Sequence, residues 1–256
     1  MITIDRLSYN SELRYVNAGE KFAFSMITLV LCVTRRSVLA SFAAFMVMGI
    51  LTVGKGKIPF SDYRKLLAVP LVFLIMNTLV LGISIRETPL ELFAVPIGRW
   101  YVTAGKETVS YGIQVFCTAM GAVSCMYFLA CNTTMPDLLI LLRKIKCPQV
   151  LMELMLLIYR FIFVLLDSAH AIFTAQHSRL GYRDYKTSLQ SFGTLVSHLF
   201  VRSIKRSETL YDAMEARCYD GKIQVLEEEY PPKIKEIMGI AVFELAVILL
   251  LWIEIG

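Results

Sequence analysis

Charged side chains are scarce in this sequence of 256 residues: Asp, Glu, Lys and Arg together make up only 18% of it. Soluble domains carry about a quarter charged residues and about 45–50% apolar ones. Here the apolar fraction is 56%, the mean hydropathy is +0.60, and the apolar residues are concentrated in long runs. This composition excludes a disordered chain, a disulfide-stapled secreted module and a routine cytosolic enzyme. It indicates an integral membrane protein.

Recognisable catalytic and metal-binding patterns are also missing. The sequence contains no P-loop, GxSxG or HExxH motif, and its six cysteines include no CxxC pair. His170 and His177 could share a helix face, but a metal site there would need a third strong donor, which the neighbouring sequence does not offer. We therefore expect no catalytic residue, no metal site and no cofactor in this chain, and no enzyme activity of its own.

Five apolar runs predict transmembrane helices, because a spanning helix needs about 20 mostly apolar residues and shorter runs are tolerated at a cost. Gly112 and Gly121 lie in the fourth run and favour close helix contact. Glu244 lies in the middle of the fifth run, where it is either a functional residue or a helix-pairing residue. The five runs are residues 22–33, 38–53, 66–83, 109–131 and 237–255.

A sixth apolar run, residues 148–166, has a different charge pattern. Glu153, Arg160 and Asp167 recur every seven residues in and just beyond this run, which places them on one stripe of a helix. Lipid-facing spans rarely tolerate three ionisable groups. We therefore predict a helix that dips obliquely into the membrane boundary, with a sixth membrane span as the alternative.

The distribution of positive charge predicts the orientation. With the N-terminus in the cytoplasm, the inside segments 1–21, 54–65 and 132–236 hold 21 of the 26 Lys and Arg residues. Because cytoplasmic loops are enriched in these residues, we expect the N-terminus and residues 132–236 inside and the C-terminus outside. The protein is then a multi-pass protein of a bacterial or archaeal cell (inner) membrane.

Residues 132–236 are more polar than the rest of the chain. Apolar residues recur at a helical period over 188–214, and charged residues occupy the opposite face, as in an amphipathic helix. We predict an all-α integral membrane protein with about five transmembrane helices and a cytoplasmic platform of long amphipathic helices. Its parts are residues 1–131 (four transmembrane helices), 132–236 (the platform) and 237–256 (the last transmembrane helix).

A short pattern occurs twice in the platform. Ser178-Arg179 and Ala216-Arg217 each place a small residue before an arginine at or just past a predicted helix end. Small-Arg pairs are common, so the pattern alone carries little weight. Its position predicts that each arginine projects from a helix end toward the cytoplasm.

Several motifs in the second half of the chain resemble the transmembrane T component of energy-coupling factor (ECF) ABC importers. They are TTMPDLL at 133–139, CP at 147–148, YRFI at 159–162, SRLGY at 178–182 and ARCYDG at 216–221. Near the N-terminus, IDRLSY at 4–9 and GEK at 19–21 resemble CbiQ, the cobalt-uptake branch, more narrowly.

The resemblance implies partners and a docking site. The partners are two cytosolic ATP-binding cassette subunits, a substrate-binding membrane subunit and often a small accessory membrane protein, together with membrane lipid and no nucleic acid. In that family two Ala-Arg-Gly motifs dock the ATPases. Their counterparts here are Ser178-Arg179-Leu180 and Ala216-Arg217-Cys218, in which Leu180 and Cys218 replace the glycine and Ser178 replaces the first alanine.

The function implied is energy coupling in an ATP-driven importer of a transition metal, cobalt or nickel, with ATP and Mg²⁺ bound by the partner ATPases. Three alternatives stay open: a T component for a vitamin, an autonomous channel or secondary transporter, and a membrane-embedded enzyme. A channel or secondary transporter needs converging ionisable residues in mid-membrane or a repeated half. The sequence offers only Glu244 in mid-membrane and no repeated half.

Overall fold

The computed structural model describes residues 3–82, 84–86, 93–97, 100–221, 223 and 230–253, and most of them are helical. The predicted class of helical integral membrane protein is confirmed. The helices are α1 (Thr3–Asn10), α2 (Ala18–Arg35), α3 (Val38–Ile50), α4 (Phe60–Gly82), α5 (Lys106–Asn132), α6 (Met135–Lys144), α7 (Gln149–Ser178), α8 (Tyr185–Glu215) and α9 (Ile234–Ile253). A 3₁₀ turn (Glu12–Tyr15) and a π-helical turn (Leu51–Lys55) lie between them.

The chain forms two compact units. The first unit comprises Met1–Thr134 and Glu228–Gly256, and the second comprises Met135–Glu227. Helix α5 lies at the centre of the first unit and packs against α1 to α4. Phe24 on α2 meets the rings of Phe128 and Phe243 edge to face, at centroid distances of 5.7 and 5.6 Å, and so joins α2, α5 and α9 in one apolar core.

Small and polar side chains let the helices of the first unit approach closely. A Cβ atom added at Gly121 would lie 2.9 Å from the carbonyl oxygen of Ser41, so the close contact between α3 and α5 requires glycine there. Glu244, buried on α9, is hydrogen-bonded through Oε1 to the Thr28 hydroxyl on α2 at 2.7 Å. Glu244 therefore pairs two helices, which was one of its two predicted roles.

Three short strands, which the sequence analysis did not predict, lie between α4 and α5. They are β1 (Ser84–Arg86), β2 (Phe93–Ile97) and β3 (Trp100–Ala104), and β3 pairs antiparallel with both neighbours in the order β1-β3-β2. Ser84 lies opposite Thr103, and Phe93 lies opposite Ala104. Strands of three to five residues contain too few alternations for their period to be recognised in sequence.

Among the described residues, four helical stretches have the length and apolarity needed to cross a membrane: Val38–Lys55, Phe60–Leu81, Thr108–Asn132 and Gln149–Ser178. The first three match predicted spans. The two other predicted spans lie in α2 and α9, helices of 18 and 20 residues that are not among the four. Glu20, Lys21 and Arg35 flank the apolar run of α2, Lys235 and Glu236 precede that of α9, and Glu244 lies within it. The uncharged stretch in each helix is therefore short.

The helix predicted to lie obliquely, residues 148–166, corresponds to α7, which is longer than the predicted run. Its 30 residues continue past Leu166 to Ser178, so by length and composition it qualifies as a span. The sequence analysis gave only the apolar run 148–166, and the last turns of this helix are more polar. In the second unit α7 packs against both α6 and α8.

Candidate functional site

The six residues of the repeated arginine pattern lie at two helix ends in the second unit. Ser178 is the last residue of α7, and Arg179 and Leu180 follow it. Ala216, Arg217 and Cys218 follow the last residue of α8. All six are exposed.

The first arginine turn, residues 176–181, is a Schellman motif. The Gly181 N–H donates to the Gln176 carbonyl at 2.9 Å, and the Leu180 N–H donates to the His177 carbonyl at 3.1 Å. This pair of bonds satisfies the carbonyls that the end of α7 leaves free. Arg179 occupies the C-cap of the helix.

The second arginine turn, residues 214–219, repeats this geometry. The Tyr219 N–H donates to the Met214 carbonyl at 3.1 Å, and the Cys218 N–H donates to the Glu215 carbonyl at 3.0 Å. These bonds assign Arg217 the same place in the motif that Arg179 has in the first turn. Both copies of the sequence pattern therefore lie on the same backbone motif, which also ends α6, where Ile145 takes the place of the arginine.

The residue after each arginine has a left-handed backbone. The φ angles are 59° at Leu180 and 60° at Cys218. A side chain in this conformation costs roughly 1–2 kcal/mol, and glycine avoids that cost. This explains physically why glycine follows the arginine in the motif that the sequence resembles. Here the two Schellman bonds hold a leucine and a cysteine in the same conformation.

Neutral hydrogen bonds support the first arginine turn from α8. The Tyr182 hydroxyl donates to Gln176 Oε1 at 2.8 Å, and Gln176 Nε2 donates to the Ser191 carbonyl at 3.0 Å. The Ser191 hydroxyl in turn donates to the Gly181 carbonyl at 2.7 Å. A Cβ atom at Gly181 would lie 2.8 Å from Ser191 Oγ, so this contact requires glycine.

A carboxylate supports the second arginine turn from α7. The Tyr219 hydroxyl donates to Glu153 Oε2 at 2.8 Å, and the Ile223 N–H donates to Glu153 Oε1 at 3.3 Å. The pKa of the Tyr219 hydroxyl is raised above its ordinary value, chiefly because its proton is held in the hydrogen bond to this carboxylate. The sequence analysis had noted Glu153 only as a charge on a helix stripe.

The two guanidinium groups are available for binding. Within the part of the chain that the structure describes, neither Arg179 nor Arg217 makes a side-chain hydrogen bond or an ion pair. Each lies at a helix C-terminus, where the helix dipole favours positive charge. A guanidinium offers a planar set of donors that fits carboxylates and carbonyl groups bidentately.

His177 takes part in aromatic packing in this region. The His177 ring stacks on Phe173 at a centroid distance of 6.0 Å, and Tyr182 lies against the same Phe173 ring at 4.8 Å. Over the described ranges, no three His, Cys, Asp or Glu side chains are grouped so that they could hold a metal ion.

Comparison with known proteins matches this chain to a family of transport proteins and to several of its relatives. The model of the CbiQ family, described as cobalt transport protein, matches residues 10–227. The chain is 34% identical over 250 residues to an uncharacterized protein of Methanocaldococcus jannaschii, covering 98% of this chain and 92% of that protein. It is 28% identical over 222 residues to the cobalt transport protein CbiQ of Salmonella typhimurium, covering 86% and 98%. It is 27% identical over 210 residues to the energy-coupling factor transporter transmembrane protein EcfT of Bacillus subtilis, covering 77% of each.

The matched region includes both arginine turns and all the helices from α2 to α8. It therefore covers the apolar helices α2 to α5 of the first unit as well as the site in the second unit, and it ends before α9. The resemblance noted in the sequence is confirmed, and the chain belongs to the CbiQ family of cobalt transport proteins.

Proposed function

We propose that this chain is the energy-coupling transmembrane subunit of an ATP-driven ECF-type importer of cobalt. In this proposal Arg179 and Arg217 dock two cytosolic ATP-binding cassette subunits, one at each arginine turn. The observation that carries the proposal is that two equivalent turns each present an exposed arginine at the same place in the motif, because two copies of one motor subunit type need two equivalent binding elements. The relatives, a cobalt transport protein and an energy-coupling factor transporter protein, supply the transport class and the ion.

The chemistry of docking follows from the exposed arginines. Each guanidinium can bind carboxylates or helix-end carbonyls of an ATPase bidentately, and the small neighbours Ser178 and Ala216 leave room for the helix end to enter a groove. Closure of the ATPases around ATP would then move the two helix ends. Since α7 and α8 pack together, this movement would shift them as one element and reach a substrate-binding membrane subunit.

In this arrangement the subunits have different tasks. ATP and Mg²⁺ bind to the partner ATPases, and a separate membrane subunit, with or without a small accessory membrane protein, binds the ion. The present chain transmits movement and catalyses nothing itself. We place the N-terminus and both arginine turns on the cytoplasmic side of the cell membrane and the C-terminus outside, as the distribution of Lys and Arg indicates. Because the two turns lie at opposite ends of α7, this placement requires α7 to lie at the membrane boundary and not across the membrane.

Charge reversal at the two turns tests the proposal. The full chain is co-expressed with its two ATPase subunits and purified through a tag on this chain. We expect the double variant Arg179→Glu/Arg217→Glu to lose both ATPases, because each turn would then repel the carboxylates that it binds. The double variant Arg202→Glu/Lys205→Glu makes the same charge change on the exposed side of α8 and should retain both.

Two results would contradict docking at the turns. One is an intact complex with the turn variant. The other is an equal loss with the control variant, which would indicate a general effect of charge. Cysteine-accessibility labelling of the native Cys218, and of Leu180→Cys in a background without Cys218, tests the orientation independently. Both positions should react only with reagent on the cytoplasmic side.

A further inference from the structure

The Glu153 carboxylate, near the start of α7, binds three groups. Gln149 Nε2 donates to Oε1 at 2.9 Å, the Ile223 N–H donates to Oε1 at 3.3 Å, and the Tyr219 hydroxyl donates to Oε2 at 2.8 Å. Gln149 belongs to the same helix as Glu153. The other two donors belong to the segment that follows α8, residues 216–223. One carboxylate therefore binds this segment to α7.

The segment that Glu153 binds contains Arg217 and closes the second arginine turn. Tyr219 lies two residues after Arg217, and its backbone N–H closes the Schellman motif on Met214. The same residue therefore closes the turn with its main chain and anchors it to α7 with its side chain. Hydrogen bonds to an ionised acceptor are roughly twice as strong as those between neutral groups.

The two turns differ in how they are supported. At the first turn the support consists of hydrogen bonds between uncharged groups, from Gln176, Tyr182 and Ser191. At the second turn the side-chain support comes from the charged Glu153. A change at Glu153 should therefore act on the second arginine turn and leave the first unaffected.

We propose that Glu153 is a positioning residue that orders the second arginine turn, through Tyr219 and Ile223, for docking of one ATPase subunit. This inference rests on the proposed function. Preorganisation by Glu153 removes the entropy cost of ordering Arg217 and its neighbours on binding. Loosening the turn should weaken ATPase binding about threefold to tenfold.

The mobility of the turn can be measured directly at Cys218, which is exposed and lies between Arg217 and Tyr219. In the full chain with its other five cysteines replaced by alanine or serine, a spin label at Cys218 reports the second turn. With Cys218 also replaced, a label at Leu180→Cys reports the first turn. We expect Glu153→Gln and Tyr219→Phe to increase mobility at position 218 and leave position 180 unchanged.

The effect on docking is measured as the affinity of the purified chain for the two ATPase subunits. Glu153→Gln should weaken binding in the wild-type and Arg179→Ala backgrounds but add no further loss in the Arg217→Ala background. A residue with a merely structural role would add the same loss in all three. Tyr211→Phe, which alters an exposed tyrosine of α8, is the matched control for Tyr219→Phe and should bind like wild type.

The outcomes separate the two proposals. Unchanged mobility at position 218, or an equal affinity loss in the Arg179→Ala and Arg217→Ala backgrounds, overturns the role of Glu153 and leaves arginine docking intact. If neither arginine substitution weakens ATPase binding, the docking function fails, and the positioning role fails with it even where the mobility at position 218 increases. Glu153→Gln keeps the size of the side chain, and Tyr219→Phe breaks the same hydrogen bond from the other side, so a fold defect in one variant leaves the other as a test.

Discussion

Leu180 and Cys218 share one left-handed backbone conformation, with φ angles of 59° and 60°, at the ends of two different helices. Each directly follows an exposed arginine, and each N–H closes the same type of Schellman motif. The two arginine turns are therefore equivalent in backbone geometry although their sequences share little beyond the arginine. This equivalence leads to a stability prediction that is independent of any partner.

Glycine at either left-handed position should stabilise the protein. Leu180→Gly and Cys218→Gly remove a strain of about 1–2 kcal/mol, and the flexibility of glycine in the unfolded chain offsets about 0.5–1 kcal/mol of this gain. The side chains that are lost are exposed, so little packing is lost with them. We expect each variant to unfold at a higher temperature in detergent solution.

Ala216→Gly is the matched control, because Ala216 is two residues from Cys218 and has a right-handed helical backbone with φ of −62°. Glycine there should lower stability by about 0.5–1 kcal/mol. A lower melting temperature for Cys218→Gly as well would contradict the strain at Cys218.

Lys21→Met should destabilise the first unit strongly. The Lys21 ammonium is buried and donates to the Leu13 carbonyl at 3.0 Å and the Asn132 carbonyl at 2.7 Å. Methionine keeps the length of the side chain but leaves both carbonyls without this donor, at a cost of about 2–4 kcal/mol. Thermal unfolding measures the loss.

The exposed Lys57 gives the comparison for Lys21. It forms a surface ion pair with Glu12, so Lys57→Met should cost only about 0–1 kcal/mol. Equal effects of the two lysine substitutions would show that the buried hydrogen bonds of Lys21 contribute little.

Gly56→Ala should be destabilising for steric reasons alone. A Cβ atom at this position would come within 2.6 Å of Asn132 Oδ1 and still closer to the Thr52 carbonyl oxygen, and the φ angle of −72° is one that alanine adopts freely. Overpacking of this kind costs about 1–3 kcal/mol. Gly54→Ala, two residues earlier, meets no atom within 4 Å and should change the melting temperature little. A tolerated alanine at Gly56 would contradict the close approach of these segments.

The Glu20 carboxylate should make stability depend on pH. Burial raises its pKa above the ordinary value for glutamate, and the nearby Glu236 raises it further. Because the folded state then binds the proton more tightly than the unfolded state, stability falls as pH rises through the ordinary and the raised pKa. We expect Glu20→Gln to unfold at a higher temperature than wild type at pH 8.

The advantage of Glu20→Gln should shrink as the pH is lowered through the raised pKa and disappear below about 4.3, the ordinary pKa of glutamate, where the wild-type carboxyl group is neutral in both states. Glu208→Gln, at an exposed position on α8, serves as the control and should show no comparable change. A gain for Glu20→Gln that does not vary with pH would assign the effect to packing.

Much of the fold could be predicted because its signals are local. Apolar runs of sufficient length predicted three of the four stretches that, within the described residues, are long and apolar enough to cross a membrane, and the helical period over 188–214 predicted most of α8. The role of Glu244 stayed open because its partner Thr28 lies on a distant helix. The docking role of the arginines remains a prediction, although their exposure at helix ends agrees with it.

The sequence by itself determined the membrane class, the helical content and the family, since these depend on composition, short-range periodicity and local motifs. Only the tertiary structure decided that Arg179 and Arg217 lie in equivalent turns, and that Glu153 binds Tyr219 far along the chain. The reason is physical: a helix period reports the nearest few residues, whereas the support of a turn depends on groups brought together only when the helices pack.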